Sequence, residues 1–256
     1  MITITKILEQ VYILKDSANN CANLLIGKEK ALLFDTGCGI DDMFGVVKTI
    51  TNLPLLVIAS HGHFDHIGGS YQFKEVCLSK YDFPILKDYS DELINKWLQK
   101  LDVENSIKDK YKTNEWKNIV PLNFESFDLG DMKCEVIPLP GHTKGSIGIY
   151  VPCLKLLLSG DALTPIMCLN FQNHESKEIQ YETLKKLKDI DFNSYITSHH
   201  DHIFSKSMID QLMKCIKNSK NKRYYEYQYP YPPYSKGWLY VDSVDEEIAI
   251  IVEKLD

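Results

Sequence analysis

The chain lacks several features that mark common functional classes. Its 256 residues include seven cysteines, yet the closest two are 15 positions apart, so neither a C-x-x-C zinc ribbon nor a dithiol redox centre is indicated. No apolar run reaches half of the roughly 20 residues that a membrane span needs, and Met1 to Gln10 contain no apolar block of a secretory signal. We therefore expect a cytoplasmic protein with reduced thiols and no membrane partner.

The charge balance argues against nucleic acid as a partner. The chain carries 29 Lys and Arg against 35 Asp and Glu, a formal charge of −6, and no basic stripe interrupts this excess. With 44% hydrophobic and 25% charged residues, and no repeat or low-complexity linker, the composition is that of a globular protein. We expect a small-molecule substrate, and a homo-oligomer remains possible.

Five short apolar runs of strand type each lead to a polar residue that can bind a metal. In open α/β sheets, ligands collect outside the carboxyl ends of the strands, so we expect these five residues to converge on one site. The runs are 31–34 before Asp35, 55–58 before His61, 136–139 before His142, 156–158 before Asp161 and 195–197 before His199.

Apolar residues at helical spacing predict helices over 208–216, 179–187 and 93–101, the last with Ser90 as N-cap. This last helix lies in a charged segment, 87–118, between two loops that carry candidate ligands. We interpret the segment as a helical insertion, which either roofs the site or forms a solvated helical hairpin without substrate contact.

The C-terminal segment 224–240 is rich in tyrosine and proline. Seven of the 15 tyrosines lie there, and the prolines keep the chain extended. An outer strap or an oligomer contact is the preferred interpretation, and a wall of the substrate pocket is the alternative.

The segment Ser60 to Gly69 holds four potential metal ligands within six residues: His61, His63, Asp65 and His66. Imidazole nitrogens and carboxylate oxygens are groups that zinc accepts. His61 and His63 are two positions apart, so in an extended loop they can chelate one ion. Asp65 and His66 follow where the chain turns and can reach a second ion.

Together with Asp35 in Phe-Asp-Thr-Gly, His142 in Pro-Gly-His-Thr, Asp161 in Ser-Gly-Asp and His199 in Thr-Ser-His, this segment resembles the motif set of the metallo-β-lactamase fold hydrolases. The resemblance implies one α/β (α+β) domain over residues 1–256, an αβ/βα four-layer sandwich of two mixed sheets with outer helices. It also implies that His61, His63 and His142 hold one metal, that Asp65, His66 and His199 hold another, and that Asp161 bridges the two.

The resemblance implies two divalent metal ions as cofactors. Zinc is expected, with iron or manganese as alternatives, because imidazole and carboxylate suit all three. Asp35 is expected to orient the ligand loops rather than to bind metal. His200 and His202 are alternatives to His199 as the last ligand. Otherwise they contact the ligands or lie on the surface. Lys144 and His174 are candidate substrate contacts.

Position 161 is Asp rather than the Cys of the common antibiotic-degrading zinc enzymes, so the site resembles the glyoxalase II and lactonase branch. This implies a hydrolase that uses a hydroxide shared by two metals to cleave a small ester, thioester or lactone, with Asp65 and Asp161 as catalytic residues. The alternatives are an oxidoreductase similar to the mononuclear iron sulfur dioxygenases, and a phosphodiesterase.

Overall fold

A computed structural model of the protein describes residues 1–101, 113–220, 222–230, 236–243 and 245–255. The central part of the predicted insertion, 102–112, and the tail residues 231–235 therefore lie outside the described residues. The described residues form 17 strands and five α-helices.

The strands are β1 (Thr3–Leu8), β2 (Val11–Lys15), β3 (Cys21–Ile26), β4 (Ala31–Phe34), β5 (Leu55–Ile58), β6 (Val76–Leu78), β7 (Ile119–Pro121), β8 (Ser126–Asp128), β9 (Lys133–Pro138), β10 (Ile147–Val151), β11 (Leu156–Leu158), β12 (Ile166–Leu169), β13 (Ser194–Ile196), β14 (Phe204–Ser205), β15 (Tyr225–Gln228), β16 (Lys236–Val241) and β17 (Ala249–Val252). The helices are α1 (Met43–Ile50), α2 (Phe64–Ile67), α3 (Asp91–Lys100), α4 (Lys177–Leu187) and α5 (Met208–Ser219).

Two large sheets carry the fold. The first has seven strands in sequence order, with β1 to β4 antiparallel and β4 to β7 parallel. The second has the order β14-β13-β11-β10-β9-β8, in which β11 and β13 are parallel and the other neighbours antiparallel. Both sheets are mixed, as the family resemblance implies.

A buried apolar layer joins the two sheets face to face. Phe34 and Ile58 of the first sheet lie in the same cluster as Ile149, Leu158 and Ile196 of the second. On its outer face the first sheet packs against α1 and α3, and the second packs against α4 and α5. The order of layers is therefore helix, sheet, sheet, helix, which confirms the predicted sandwich.

A third sheet of four strands, in the order β12-β17-β16-β15, was not predicted from the sequence. At one edge of this sheet β12 pairs with β17 in parallel, with Ile166 opposite Ala249. Strands so far apart along the chain are brought together by tertiary packing, which local periodicity does not report. The described parts of the C-terminal segment therefore contribute two strands, β15 and β16, to this sheet.

The five predicted runs correspond to strands β4, β5, β9, β11 and β13, and the three apolar stripes to α3, α4 and α5. Ser90 is the N-cap of α3, because its hydroxyl accepts a hydrogen bond from the Leu93 N–H at 3.2 Å. No helix in the described ranges is long and apolar enough to cross a bilayer.

Candidate metal centre

Loops from both large sheets meet in one cluster of polar side chains, the ligand cluster. It lies where the chain leaves β5, β9, β11 and β13, at the edge predicted from the strand ends. Its members are His61, His63, Asp65, His66, His142, Asp161 and His199.

Three imidazoles form the first group of the ligand cluster. His61 Nε2 lies 3.0 Å from His63 Nδ1, which lies 3.0 Å from His142 Nε2. Two nitrogens bound to a tetrahedral zinc at about 2.0 Å are themselves about 3.3 Å apart. The spacing of these nitrogens therefore suits a single ion.

Hydrogen bonds fix the tautomers of these imidazoles. His63 Nε2 donates to the Gln172 carbonyl at 3.0 Å, and His142 Nδ1 donates to the Cys168 carbonyl at 2.8 Å. The Ser60 hydroxyl donates to Asp35, so it accepts from His61 Nδ1 at 2.9 Å. The three nitrogens that face one another thus carry lone pairs when the rings are neutral, an arrangement that a cation stabilises.

Burial keeps these rings neutral. It lowers the pKa of His61 well below 6.5, with further lowering by the neighbouring His66, His63 and His142. Burial likewise lowers the pKa of His63, and it lowers that of His142 to about 4. Near pH 7 the first group therefore offers three unprotonated nitrogens to a metal.

Asp65, His66 and His199 form the second group. His66 Nε2 lies 3.7 Å from Asp65 Oδ1, and His199 Nε2 lies 3.6 Å from Asp65 Oδ2. Their ligand atoms lie close enough together to hold one ion. The first two residues belong to α2 and the third follows β13, so both large sheets contribute.

Asp161 lies between the two groups. Its Oδ2 is 3.6 Å from His142 Nε2, 3.6 Å from His66 Nε2 and 3.0 Å from His199 Nε2. One carboxylate oxygen thus approaches histidines of both groups.

Two buried atoms of the ligand cluster have no hydrogen-bond partner among the described residues. They are His66 Nε2 and Asp161 Oδ1. Buried polar atoms are satisfied in the great majority of proteins, and leaving one without a partner costs about 1–3 kcal/mol. Metal coordination would satisfy both, so the residues present fit a pair of ions.

Asp35 forms hydrogen bonds to His66 of the second group and to two serines beside the ligands. Its Oδ2 accepts from His66 Nδ1 at 2.9 Å, and from the hydroxyls of Ser60 at 2.9 Å and Ser198 at 2.6 Å. The Ser60 N–H donates to Oδ1 at 2.6 Å. Asp35 has a left-handed backbone, φ 71°, at the end of β4. Its carboxylate therefore orients His66 while its own oxygens are fully engaged.

In the second group, neighbouring carboxylates raise the pKa values of the histidines, whereas those of the first group are lowered. Burial lowers the pKa of His66, but Asp65, Asp161 and Asp35 together outweigh it and raise this pKa well above 6.5. Burial opposes protonation of His199 in the same way, and Asp161 raises its pKa overall. Burial raises the pKa of Asp161, but His199 and His66 together lower it well below its ordinary value. The second group thus favours positive charge, whether protons or a cation supply it.

A cavity of about 310 Å³ opens above the ligand cluster. Part of its lining comes from α3 and the residues before it, and another part from the third sheet and the loop after β12. The apolar and aromatic residues of this cavity wall are Phe64, Tyr89, Leu93, Ile94, Trp97, Ile166, Phe171, Tyr227, Tyr229 and Ile251.

The cavity wall bears on the alternatives stated above for the helical insertion and for the C-terminal segment. Leu93, Ile94 and Trp97 of α3 line the cavity, so this helix is part of a roof and not a solvated hairpin. Tyr227 and Tyr229 also line it, so for these two residues the structure agrees with the alternative of a cavity wall rather than with an outer strap. The sequence favoured the strap because an extended, proline-rich segment does not indicate which surface it covers.

Three histidines follow β13, and the structure distinguishes them. His199 reaches the ligand cluster, whereas His200 lines the cavity and bonds through Nδ1 to the Thr197 hydroxyl at 2.8 Å. His202 is exposed, and its ring packs on Phe204. His199 is thus the one of the three whose side chain lies among the ligand atoms.

The candidate substrate contacts Lys144 and His174 do not line the described cavity. Lys144 is exposed, and its backbone N–H is bonded to the Asn173 carbonyl. His174 is bonded to the Glu175 carbonyl and lies 3.6 Å from Glu253. Both side chains belong to the surface beside the site, so the structure does not support their assignment.

Sequence reasoning missed one buried carboxylate beside the ligand cluster. Asp82 accepts hydrogen bonds from Gly62 and Thr143, which adjoin His63 and His142. No motif surrounds it, because its neighbours in sequence are ordinary surface and core residues. Only the fold brings it to the ligand loops.

The comparisons with known proteins identify the family of the chain. The family model of the metallo-beta-lactamase superfamily matches residues 18–200. This range spans more than half of the chain and contains the whole ligand cluster. The chain therefore belongs to the metallo-beta-lactamase superfamily, which confirms the resemblance seen in the sequence.

Individual relatives are distant. The acyl-coenzyme A thioesterase MBLAC2 of Bos taurus is 27% identical over 166 residues, 57% of this chain and 60% of that protein. The hydroxyacylglutathione hydrolase GloC of Haemophilus influenzae is 27% identical over 146 residues, 56% of this chain and 66% of that protein. The chain thus matches less than two thirds of the length of either.

Among solved structures, a metallo-beta-lactamase from Pontibacter korlensis has a TM-score of 0.63 and 20% identity, covering 86% of this chain and 100% of that one. At this identity the likeness shows the fold alone.

Proposed function

We propose that the protein is a dinuclear metal-dependent hydrolase that cleaves a thioester or ester whose acyl group is apolar. The observation that carries the proposal is the position of Asp161 Oδ2, between the two groups of the ligand cluster and at the base of an apolar cavity. His61, His63 and His142 would hold the first ion, and Asp65, His66 and His199 the second. Asp161 would bridge them.

When bound, two divalent ions supply Lewis acidity that makes a hydroxide available near neutral pH and polarises the scissile carbonyl. The protein's own groups position the reactants. Asp65 faces the cavity and can hold the proton of the attacking nucleophile. No serine or cysteine nucleophile is required.

Tyr229 is the second proton-handling group that the cavity offers. Burial raises the pKa of its hydroxyl, and the Asp65 carboxylate raises it further. The hydroxyl therefore stays protonated and can donate a hydrogen bond to the reacting carbonyl or to the leaving group. Its ring packs edge-on against Phe171 at 5.0 Å, which limits its movement.

The cavity wall favours an apolar acyl group. Transfer of an acyl chain from water to such a surface is favourable by about 25 cal/mol of free energy per Å² of buried apolar area. The activities of the two relatives, an acyl-coenzyme A thioesterase and a hydroxyacylglutathione hydrolase, favour a thioester over a lactone.

Elemental analysis of the purified protein, followed by an acyl-chain series of thioesters, tests this function. We expect about two zinc ions per chain and a kcat/KM that rises with acyl length until the cavity is filled. His61→Ala and His199→Ala should each lose metal, and His202→Ala is the matched control because its side chain lies outside the ligand cluster.

About one iron per chain, with oxygen consumed in the presence of sulfur substrates, would contradict hydrolysis and indicate a dioxygenase. A metal content that is the same in His61→Ala and in the wild type would contradict the ligand assignment. Hydrolysis of phosphodiesters without hydrolysis of thioesters would contradict the substrate class.

A further inference from the structure

A buried carboxylate outside the ligand cluster joins the loops that carry the first group. Asp82 lies just after β6 in a 3-10 segment that leads towards α3, and its side chain is fully buried. Burying a carboxylate is unfavourable unless hydrogen bonds or charges compensate it. The partners of Asp82 therefore identify its role.

Asp82 accepts four hydrogen bonds from three loops. Its Oδ2 accepts from the Gly62 N–H at 2.9 Å and the Thr143 hydroxyl at 2.7 Å. Its Oδ1 accepts from the Gly145 N–H at 2.9 Å and the Asn173 side-chain amide at 2.7 Å. An ionised carboxylate has about four lone-pair sites, and here all four face donors.

These partners adjoin the ligands of the first group. Gly62 separates His61 from His63, and Thr143 follows His142. Asn173 follows Gln172, whose carbonyl sets the tautomer of His63. None of the four partners adjoins Asp65, His66 or His199 in the sequence.

Two glycines permit this arrangement. A Cβ at Gly62 would lie 3.1 Å from Asp82 Cβ, and one at Gly145 would lie 2.5 Å from the Asp82 carboxyl carbon. Only glycine lets the backbone N–H groups approach the carboxylate so closely. We propose that Asp82 is a positioning residue that holds His61, His63 and His142 in the geometry for the first ion, a role that rests on the proposed metal site.

Zinc binding to the metal-free protein tests this role, with two backgrounds that separate the two ions. In His199→Ala, which retains the first group, adding Asp82→Asn should weaken zinc binding about 10- to 100-fold, as loss of an outer partner of a ligand does. In His142→Ala, which retains the second group, the same addition should change affinity less than about twofold. A chelator competition assay measures both affinities.

Asp82→Asn keeps the size of the side chain but replaces one acceptor oxygen by an NH₂ group. Each oxygen of Asp82 accepts two hydrogen bonds, so in either orientation of the amide the NH₂ group would face two donors. Asp82→Asn should therefore bind zinc as poorly as Asp82→Ala, whereas a packing role predicts that the asparagine variant restores binding. Asp242→Asn is the matched control, since Asp242 is a buried carboxylate that bonds Asn218 and Asp245, far along the chain from the ligand loops.

An equal loss of affinity in both backgrounds, or in Asp242→Asn, would overturn the role, because Asp82 would then act on the whole fold. Unchanged affinity of Asp82→Asn in the His199→Ala background would overturn it too, as would a His199→Ala protein that binds no zinc. Intact zinc binding without hydrolysis of any thioester would contradict the proposed function but leave this role standing.

Discussion

The floor and the wall of the cavity are built by different physical means. The floor is the ligand cluster, whose side chains stand on loops fixed by hydrogen bonds to Asp35 and to backbone carbonyls. The wall is made of apolar and aromatic side chains from α2, α3, the third sheet and the adjoining loops, outside the two facing sheets. Polar geometry thus controls the chemistry and apolar packing controls what fits, so substitutions in the two regions should change different kinetic constants.

The largest effect is expected on the floor, at Asp161. Asp161→Ala removes the carboxylate that approaches both groups and should lower kcat/KM by at least about a thousand-fold, or about 4 kcal/mol in the barrier. Steady-state kinetics and elemental analysis measure this loss. Asp201→Ala is the control, because Asp201 is an exposed carboxylate that pairs with Lys15. Full activity of Asp161→Ala would show that the floor does not require a bridging ligand.

The next effect is expected on the wall, at Trp97. Trp97→Ala removes apolar area above the floor and should raise KM about 10- to 100-fold for long acyl chains, with little effect on short ones. The metal content should stay at its wild-type value. Gln99→Ala, an exposed position on the same helix, is the control. An equal rise in KM for short and long acyl chains would mean that the substitution also disturbs the floor. Trp97 packs against Phe64 at 4.8 Å, so such an effect would pass through Phe64.

The two groups of the floor should differ in their response to pH. The pKa values of His66 and His199 are raised, so the second ion must displace protons from them when it binds. Below these pKa values, each displaced proton should lower the affinity for the second ion about tenfold per pH unit. The histidines of the first group have lowered pKa values and are already neutral, with His142 near 4. The first ion's affinity should therefore stay nearly constant between about pH 6.5 and 8.

Zinc titrations in buffers of different ionisation enthalpy measure the protons released by each ion. Running them in His142→Ala and His199→Ala assigns each release to one group. Proton release by the first ion rather than the second at pH 7 would reverse the proposed difference between the groups.

The sequence predicted the floor better than the wall. Strand ends at Asp35, His142 and Asp161 are local signals, because each polar residue follows its apolar run within three positions. By contrast, Trp97 and Tyr229 reach the cavity through the insertion and the third sheet, whose placement depends on contacts between distant segments. Asp82 was missed for the same reason, since its four partners come from three other loops.

The smallest effect is expected where wall and floor meet, at Tyr229. Tyr229→Phe keeps the ring packed on Phe171 and removes only the hydroxyl, whose pKa is raised by burial and further by Asp65 so that it stays protonated. We expect kcat to fall by less than about tenfold, in line with the roughly 0.5–1.5 kcal/mol of one hydrogen bond, while KM stays unchanged across acyl lengths. Tyr225→Phe, an exposed tyrosine in the same segment, is the control. A wall residue that changes kcat in this way would act on the chemistry, whereas a change in KM alone would place Tyr229 with Trp97 as a determinant of acyl length.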